Sequence, residues 1–314
     1  MRRMSTVAAL VALFCLHSAA AAGALGIIAP ASALLGDAIT VYVPPQSDIR
    51  RISVTLSSGD GKVVVTAHAF PYVEGGKISA WVAVLGVPTT ISPGNYRVET
   101  TIATGSGVDR RDSPISIGAR KFAHENIDLD QELTDLQTED SATKAKQARD
   151  LWHILTTFDN KAVYQLGPLI VPVDKYVVTS PFAERRLFVF VHGGDQRSIH
   201  EGIDLAVPAG TPIRAAGAGR VVFDGNWLMT GNTIVIEQLP GVYSLYFHME
   251  RSAVAQGEIV KQGQIIGYVG ASGLATGPHL HWQVEVDGVP VDPMSLLETG
   301  LLNVSTLASL SASR

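Results

Sequence analysis

The sequence predicts a mostly β protein: an N-terminal β-sandwich, a helical connector and a C-terminal antiparallel β domain. Thirty glycines and sixteen prolines punctuate the chain. The runs between them lean to Val, Ile, Thr and Tyr, the pattern of short strands joined by turns. One stretch, 121–158, is instead charged, free of glycine and periodic at three- and four-residue steps. The length of 314 residues suits about two domains, and a composition 46% hydrophobic and 17% charged excludes a disordered chain.

Residues 1–22 read as a secretory signal peptide. Arg2 and Arg3 precede the apolar run VAALVALFCL and the small residues of HSAAAAG. The run is too short to span a bilayer comfortably. Cys15, the only cysteine, follows Leu13 and Phe14, not the small residues of a lipoprotein signal, so it is expected to leave with the segment. The mature chain then has no disulfide and no cysteine ligand or nucleophile. Net charge is −5, and −7 without Arg2 and Arg3. No basic block stands out, which excludes nucleic acid as the expected partner, and no second apolar run is long enough for a membrane span.

Residues 24–118 carry the strand-like runs ISVTLSS, KVVVTAHAF, ISAWVAVLGV and YRVETTIATG. GDGK at 59–62 reads as a hairpin turn and SPGN at 92–95 as another turn. Strands at this spacing predict a β-sandwich. His68 is alone in its strand and reads as structural or surface. Residues 119–168 are expected to form the helical connector. Ala142, Ala145, Ala148, Trp152, Leu155 and Phe158 would share one packed helix face, capped by Asp140 or Ser141. His124 and His153 also lie there. Residues 169–300 return to strands. Residues 301–314, small and polar, are expected to form a flexible tail.

The chemistry gathers in this last domain. In HLHWQVEVDG, strand alternation puts His279, His281, Gln283 and Glu285 on one face and Leu280, Trp282, Val284 and Val286 on the other. Two residues of strand rise separate the imidazoles by about 6.5 Å, close enough to converge on one site. The histidine face is expected to open to a cleft. Upstream, HEGIDLAVPAGTP pairs His200 with Asp204. Gly202, Ile203, Val207 and Pro208 argue for a loop entering a strand, not a helix. Two histidines and one carboxylate form a known catalytic zinc set, leaving a fourth position for water. His248, in YSLYFHM, ends another alternating strand.

These segments, with GNTIVIEQ, GEIVKQGQIIGYVG and SGLATGPHLHWQV, resemble the lysostaphin/LytM-type zinc metallopeptidases, which cut peptidoglycan peptides. The resemblance covers about residues 178–297. SPFAERR at 180–186 matches the family's opening segment, with Ala183 where glycine is usual, and Gln238 stands where a histidine is often found. The resemblance implies one Zn²⁺ per chain held by His200, Asp204 and His281. It places His248 and His279 beside the metal-activated water as catalytic residues, their roles undivided. A looser match, through LGVPTTISPGNYRV, is to periplasmic members with an N-terminal immunoglobulin-like domain. Arg185 matches the opening arginine, as an ion pair or a substrate contact. Tyr246 either lines the cleft or packs, and His192 reads as a surface loop residue.

The function expected from this is an exported zinc endopeptidase acting on peptidoglycan stem peptides or cross-links, in the periplasm or secreted. The rival is a non-catalytic or latent relative that binds the wall and regulates other hydrolases; all five site positions being filled favours the enzyme. A biotinyl or lipoyl carrier is set aside for want of a presented lysine. The bond cut and any protein regulator are not readable from the chain.

Overall fold

A computed structural model of the chain describes residues 26–139 and 141–312. The expected signal peptide, with Arg2, Arg3, Cys15 and His17, and the candidate cap Asp140 lie outside the described residues. Strands dominate, as predicted. No helix among the described residues is long and apolar enough to cross a membrane.

Eight strands come first: β1 (Ser32–Leu34), β2 (Ala38–Val43), β3 (Ile49–Ser58), β4 (Val63–His68), β5 (Phe70–Glu74), β6 (Lys77–Gly86), β7 (Gly94–Thr104) and β8 (Val108–Gly118). They form a five-stranded sheet, β1-β8-β7-β3-β4, and a three-stranded sheet, β2-β6-β5. Ile39, Val41, Val54, Leu56, Leu85 and Val98 fill the core between them. The predicted GDGK hairpin joins β3 to β4, with Gly61 at φ +84°.

The connector holds β9 (His124–Asp128), α1 (Gln131–Thr138) and α2 (Ala142–Leu155). Besides the expected helices the connector contains a strand, β9, which the sequence did not announce. It pairs in parallel with a strand of the C-terminal half. The predicted α2 face is corrected. Trp152 is 57% exposed and Ala142, Ala145 and Ala148 are exposed, while Leu151, Ile154 and Leu155 pack on Val235, Tyr243, Leu245 and Phe247. Ser141 caps α2, its Oγ accepting from the Lys144 N–H at 3.3 Å.

Twelve strands follow: β10 (Val177–Ser180), β11 (Arg185–Val189), β12 (Asp195–Ile199), β13 (Ile203–Ala206), β14 (Pro212–Arg214), β15 (Gly219–Trp227), β16 (Gly231–Leu239), β17 (Val242–Ser252), β18 (Ile259–Val260), β19 (Ile265–Val269), β20 (Leu280–Val286) and β21 (Val289–Val291). The main sheet runs β10-β13-β20-β17-β16-β15-β18, with β14, β19 and β21 beside it. Its pairings are antiparallel. A separate small sheet has the order β12-β11-β9.

One core joins the two halves. Leu205, Ile234, Ile236, Leu280, Trp282 and Val284 pack in the same cluster as Tyr42, Phe70, Ala80, Val82 and Val84 of β2, β5 and β6. Alternate residues of β6 therefore face two cores, which is why ISAWVAVLGV is a nearly unbroken apolar run. Arg120 ties the halves further. It donates to Asp37 Oδ1 at 2.7 Å and to Asp292.

The C-terminal expectation is corrected as well. After α3 (Leu296–Thr299), α4 (Val304–Ala312) packs against the shared core through Leu307 and Leu310, with Leu301 and Leu302 buried beside it. The Asn303 N–H donates to the Tyr42 hydroxyl at 2.6 Å. Four leucines among small polar residues suffice to dock this helix, so residues 301–312 are not a loose tail.

Candidate metal centre and active site

Three adjacent strands build the site. Asp204 on β13 is the register partner of His281 on β20, which is the partner of Phe247 on β17. His200 sits just after β12 and returns to Asp204 through a bend at Gly202. A Cβ on Gly202 would lie 2.6 Å from both His281 Nε2 and the Trp282 carbonyl, so only glycine lets this bend close on the β20 backbone.

His200, Asp204 and His281 are buried, at 4%, 8% and 7% exposure. His200 Nε2 lies 3.0 Å from Asp204 Oδ1 and 2.9 Å from His281 Nδ1, which is itself 2.9 Å from Asp204 Oδ1. The far side of each ring assigns its proton. His200 Nδ1 faces the Pro181 carbonyl at 3.0 Å, and His281 Nε2 faces Gln283 Oε1 at 3.0 Å. In the neutral rings those nitrogens are the donors. His200 Nε2, His281 Nδ1 and Asp204 Oδ1 are left as three lone pairs converging on one point. Such a set repels itself without a cation, and two imidazoles with one carboxylate suit a single Zn²⁺.

Arg186, which the sequence reading passed over, completes the carboxylate. Its Nη2 donates to Asp204 Oδ2 at 2.7 Å and its Nε to Glu184 Oε2 at 3.1 Å. With Oδ2 occupied, Oδ1 is the oxygen turned to the histidines.

His248 and His279 stand beside this set, their ring centroids 4.8 Å apart. His279 Nδ1 bonds the Gly277 carbonyl at 2.8 Å, and its Nε2 is 3.7 Å from Asp204 Oδ1. His248 Nδ1 bonds the Ser272 carbonyl at 2.8 Å. The Nε2 atom of each ring is thereby freed from backbone pairing. Burial pushes His248 down to about 3. The expectation that His248 ends its strand is corrected: β17 continues to Ser252, and His248 sits at a kink within it at φ 59°. There β17 leaves β20 and pairs with β19 from Met249 onward. A left-handed residue inside a strand re-aims its side chain.

The cleft beside these groups holds about 380 Å³. His248, His279 and residues 274–278 form part of its wall. Glu125, Ile127 and Leu133, from β9 and the start of α1, line it along with Arg186 and Phe188 of β11. No motif pointed to the connector as a wall of the cleft, because its place depends on the β9–β11 pairing. The histidine face of β20 opens to this space only at its start. Gln283 and Glu285 are each 3% exposed, which corrects the expectation that all four polar residues face the cleft.

The remaining candidates resolve as structure. Tyr246 is fully buried, its hydroxyl accepting from the Ala216 N–H at 2.8 Å. Arg185 donates to the Thr89 carbonyl at 2.8 Å and stacks 4.7 Å from the Phe122 ring. His192 is exposed beside Gln131, and His68 pairs with Arg51 at 2.9 Å. Gln238 is buried and accepts from the Ser244 hydroxyl at 2.9 Å.

The family model for peptidase family M23 matches residues 198–293. The DD-carboxypeptidase/endopeptidase Mpg of Neisseria meningitidis serogroup B is 38% identical over 158 residues, which are 50% of this chain and 36% of that protein. The peptidoglycan DD-endopeptidase ShyA of Vibrio cholerae is 40% identical over 125 residues, 39% of this chain and 28% of that protein. The chain thus spans about a third of the length of these curated relatives. A solved putative peptidase M23 from Pseudomonas aeruginosa superposes with a TM-score of 0.56 at 26% identity, covering 85% of this chain and 95% of that one. The likeness in fold therefore extends beyond the matched segment. Residues 198–293, with their His-Asp-His set, thus match peptidase family M23.

Proposed function

We propose that the protein is an exported zinc-dependent endopeptidase that hydrolyses peptide bonds of peptidoglycan stem peptides or cross-links. The observation that carries this reading is the convergence of three lone pairs, on His200, Asp204 and His281, beside two histidines whose Nδ1 atoms are held by backbone carbonyls. The name of the Vibrio relative supports the peptidoglycan substrate, and both relatives' names support an endopeptidase. The pattern of residues 1–22 supports export, with the periplasm as the proposed compartment and secretion as the alternative.

In this mechanism His200 Nε2, His281 Nδ1 and Asp204 Oδ1 hold the ion, and Arg186 keeps Asp204 turned toward it. Bound zinc supplies Lewis acidity, lowering the pKa of water from about 15.7 to about 7 and polarising a carbonyl. His248 and His279 carry the proton transfers. A neutral imidazole takes a proton from the attacking water, and an imidazolium stabilises the oxyanion or protonates the departing amine. The carbonyls of Ser272 and Gly277 hold the two rings by Nδ1, so that Nε2 of each is presented to the substrate.

The test is incubation of the protein lacking residues 1–22 with purified cross-linked peptidoglycan, with and without a chelator, and mass spectrometry of the products. Chelator-sensitive loss of cross-linked muropeptides is expected, and the products identify the bond. Stoichiometric zinc with no cleavage would count against this reading and for the latent or regulatory one.

A further inference from the structure

Behind His281 the polar face of β20 runs into the protein. His281 Nε2 lies 3.0 Å from Gln283 Oε1, and Gln283 Nε2 donates to Glu285 Oε1. Glu285 is 3% exposed, and its Oε2 has no hydrogen-bond partner among the described residues. Such a group is expensive to bury, and an apolar side chain would fill the same space at lower cost. Its position calls for a reason other than stability.

The donor and acceptor inventory supplies one. An amide carries its hydrogens on nitrogen and accepts only on oxygen. Gln283, bonded through its Nε2 to Glu285 Oε1, has this nitrogen turned away from His281. Its Oε1 is then turned to His281 and must be met by a proton on Nε2 of that ring. A neutral imidazole has one such proton, so Nδ1 is left bare, facing Asp204 Oδ1 and His200 Nε2. The ring is held on its flat side too, stacked on Phe247 with centroids 5.0 Å apart and planes 6° from parallel.

We propose that Gln283 and Glu285 are positioning residues that set the tautomer and orientation of His281, so that its Nδ1 is a ready metal donor before the ion arrives. This rests on the reading of His200, Asp204 and His281 as the zinc site and deepens it. Glu285 acts through Gln283, and Gln283 acts through His281; neither touches substrate.

The experiment is zinc affinity, measured by competition with a chromophoric chelator, in the wild type and three variants. Gln283→Leu removes the acceptor for the His281 proton, and the zinc Kd is expected to rise about 10- to 100-fold, the usual loss when such an outer partner is removed. Glu285→Leu, which frees the amide to turn over, is expected to weaken zinc in the same direction. Glu285→Gln keeps an oxygen that accepts from Gln283 and is expected to restore near-native affinity, whereas the similarly sized Leu, which lacks that oxygen, is not. A native Kd in Gln283→Leu would overturn the inference while leaving the endopeptidase reading intact. If Gln283→Leu does not fold, the wild-type zinc protein still decides: a slowly exchanging His281 Nε2–H resonance is expected in ¹H–¹⁵N spectra, and rapid exchange of that proton overturns the inference. A wild type that binds no zinc would sink the metal reading itself, and this inference with it.

Discussion

His281 meets the candidate metal position through Nδ1 and the buried interior through Nε2, so under the proposed mechanism a change there would remove a metal donor, whereas a change at His248 would remove only a proton carrier. His200→Ala or His281→Ala is expected to abolish both zinc binding and hydrolysis. His248→Ala is expected to keep one zinc per chain and to lose about 100- to 1000-fold in rate, the usual scale for losing one stabilising donor. Zinc stoichiometry and turnover measured on the same preparations separate the cases, and His281→Ala cutting at the native rate would refute the ligand assignment. Much of this site was legible because His-x-His on a strand and His-x₃-Asp around a glycine are local patterns. Arg186 was not, since two adjacent arginines look alike in the chain. Only the fold turns Arg186 to Asp204 and Arg185 to Thr89. Ala183, noted for standing where glycine is usual, adopts φ 59° and is fully buried. A left-handed backbone costs a residue with a Cβ about 1–2 kcal/mol, which is the physical reason for glycine at that place.

Elements were easier to detect than to orient. The three- and four-residue periodicity correctly marked α2, but alanine sits well on either face of a helix, so Ala142, Ala145 and Ala148 carried no information about which side packs. The stripe of Leu151, Ile154 and Leu155 does pack, against the sheet face that includes Phe247, and Phe247 in turn backs His281. The kink at His248 and the short strand β9 depend on partners far away in sequence, and no local signal announced them. At the β20–β21 turn, Asp287 sits at φ 49°, and burial pushes its carboxyl up to about 7. An unfolded Asp titrates near 3.9, about three units lower. The folded state therefore binds the proton more tightly. The favourable contribution is full below about pH 4 and is lost as pH rises through about 7. Asp287→Asn keeps a residue that tolerates the left-handed turn and removes the charge. Its melting temperature is expected to exceed that of wild type at pH 8 and to match it at pH 4. An equal difference at both pH values would show that the effect is not ionisation.

At the scale of the molecule, the sandwich and the C-terminal half are not beads on a string. The sheet β2-β6-β5 is buried on both faces, and Tyr42, Phe70, Ala80, Val82 and Val84 belong to the core of the C-terminal half. Each fully buried Val or Phe contributes about 1.5–3 kcal/mol when withdrawn from water, a large sum against a net stability of about 5–15 kcal/mol. A fragment of residues 169–314 is therefore expected to lose its cooperative urea transition and near-UV circular dichroism. A fragment that unfolds at the same midpoint as the full chain would show that the shared core is not needed. The fragment would also lack Glu125, Ile127 and Leu133 from the cleft wall.

The chain alone announced its strand-rich class, the break at residues 121–158 and the residue types of a zinc site, because alternation, helical period, turn chemistry and ligand spacing are all written within a few neighbouring residues. Tertiary structure alone decided which face of α2 packs, that residues 301–312 dock as a helix, that β9 joins the wall of the cleft, and that Arg186 and Gln283 hold the outer atoms of Asp204 and His281. Each of those outcomes depends on contacts between segments distant in sequence, and such contacts exist only once the strands have found their register.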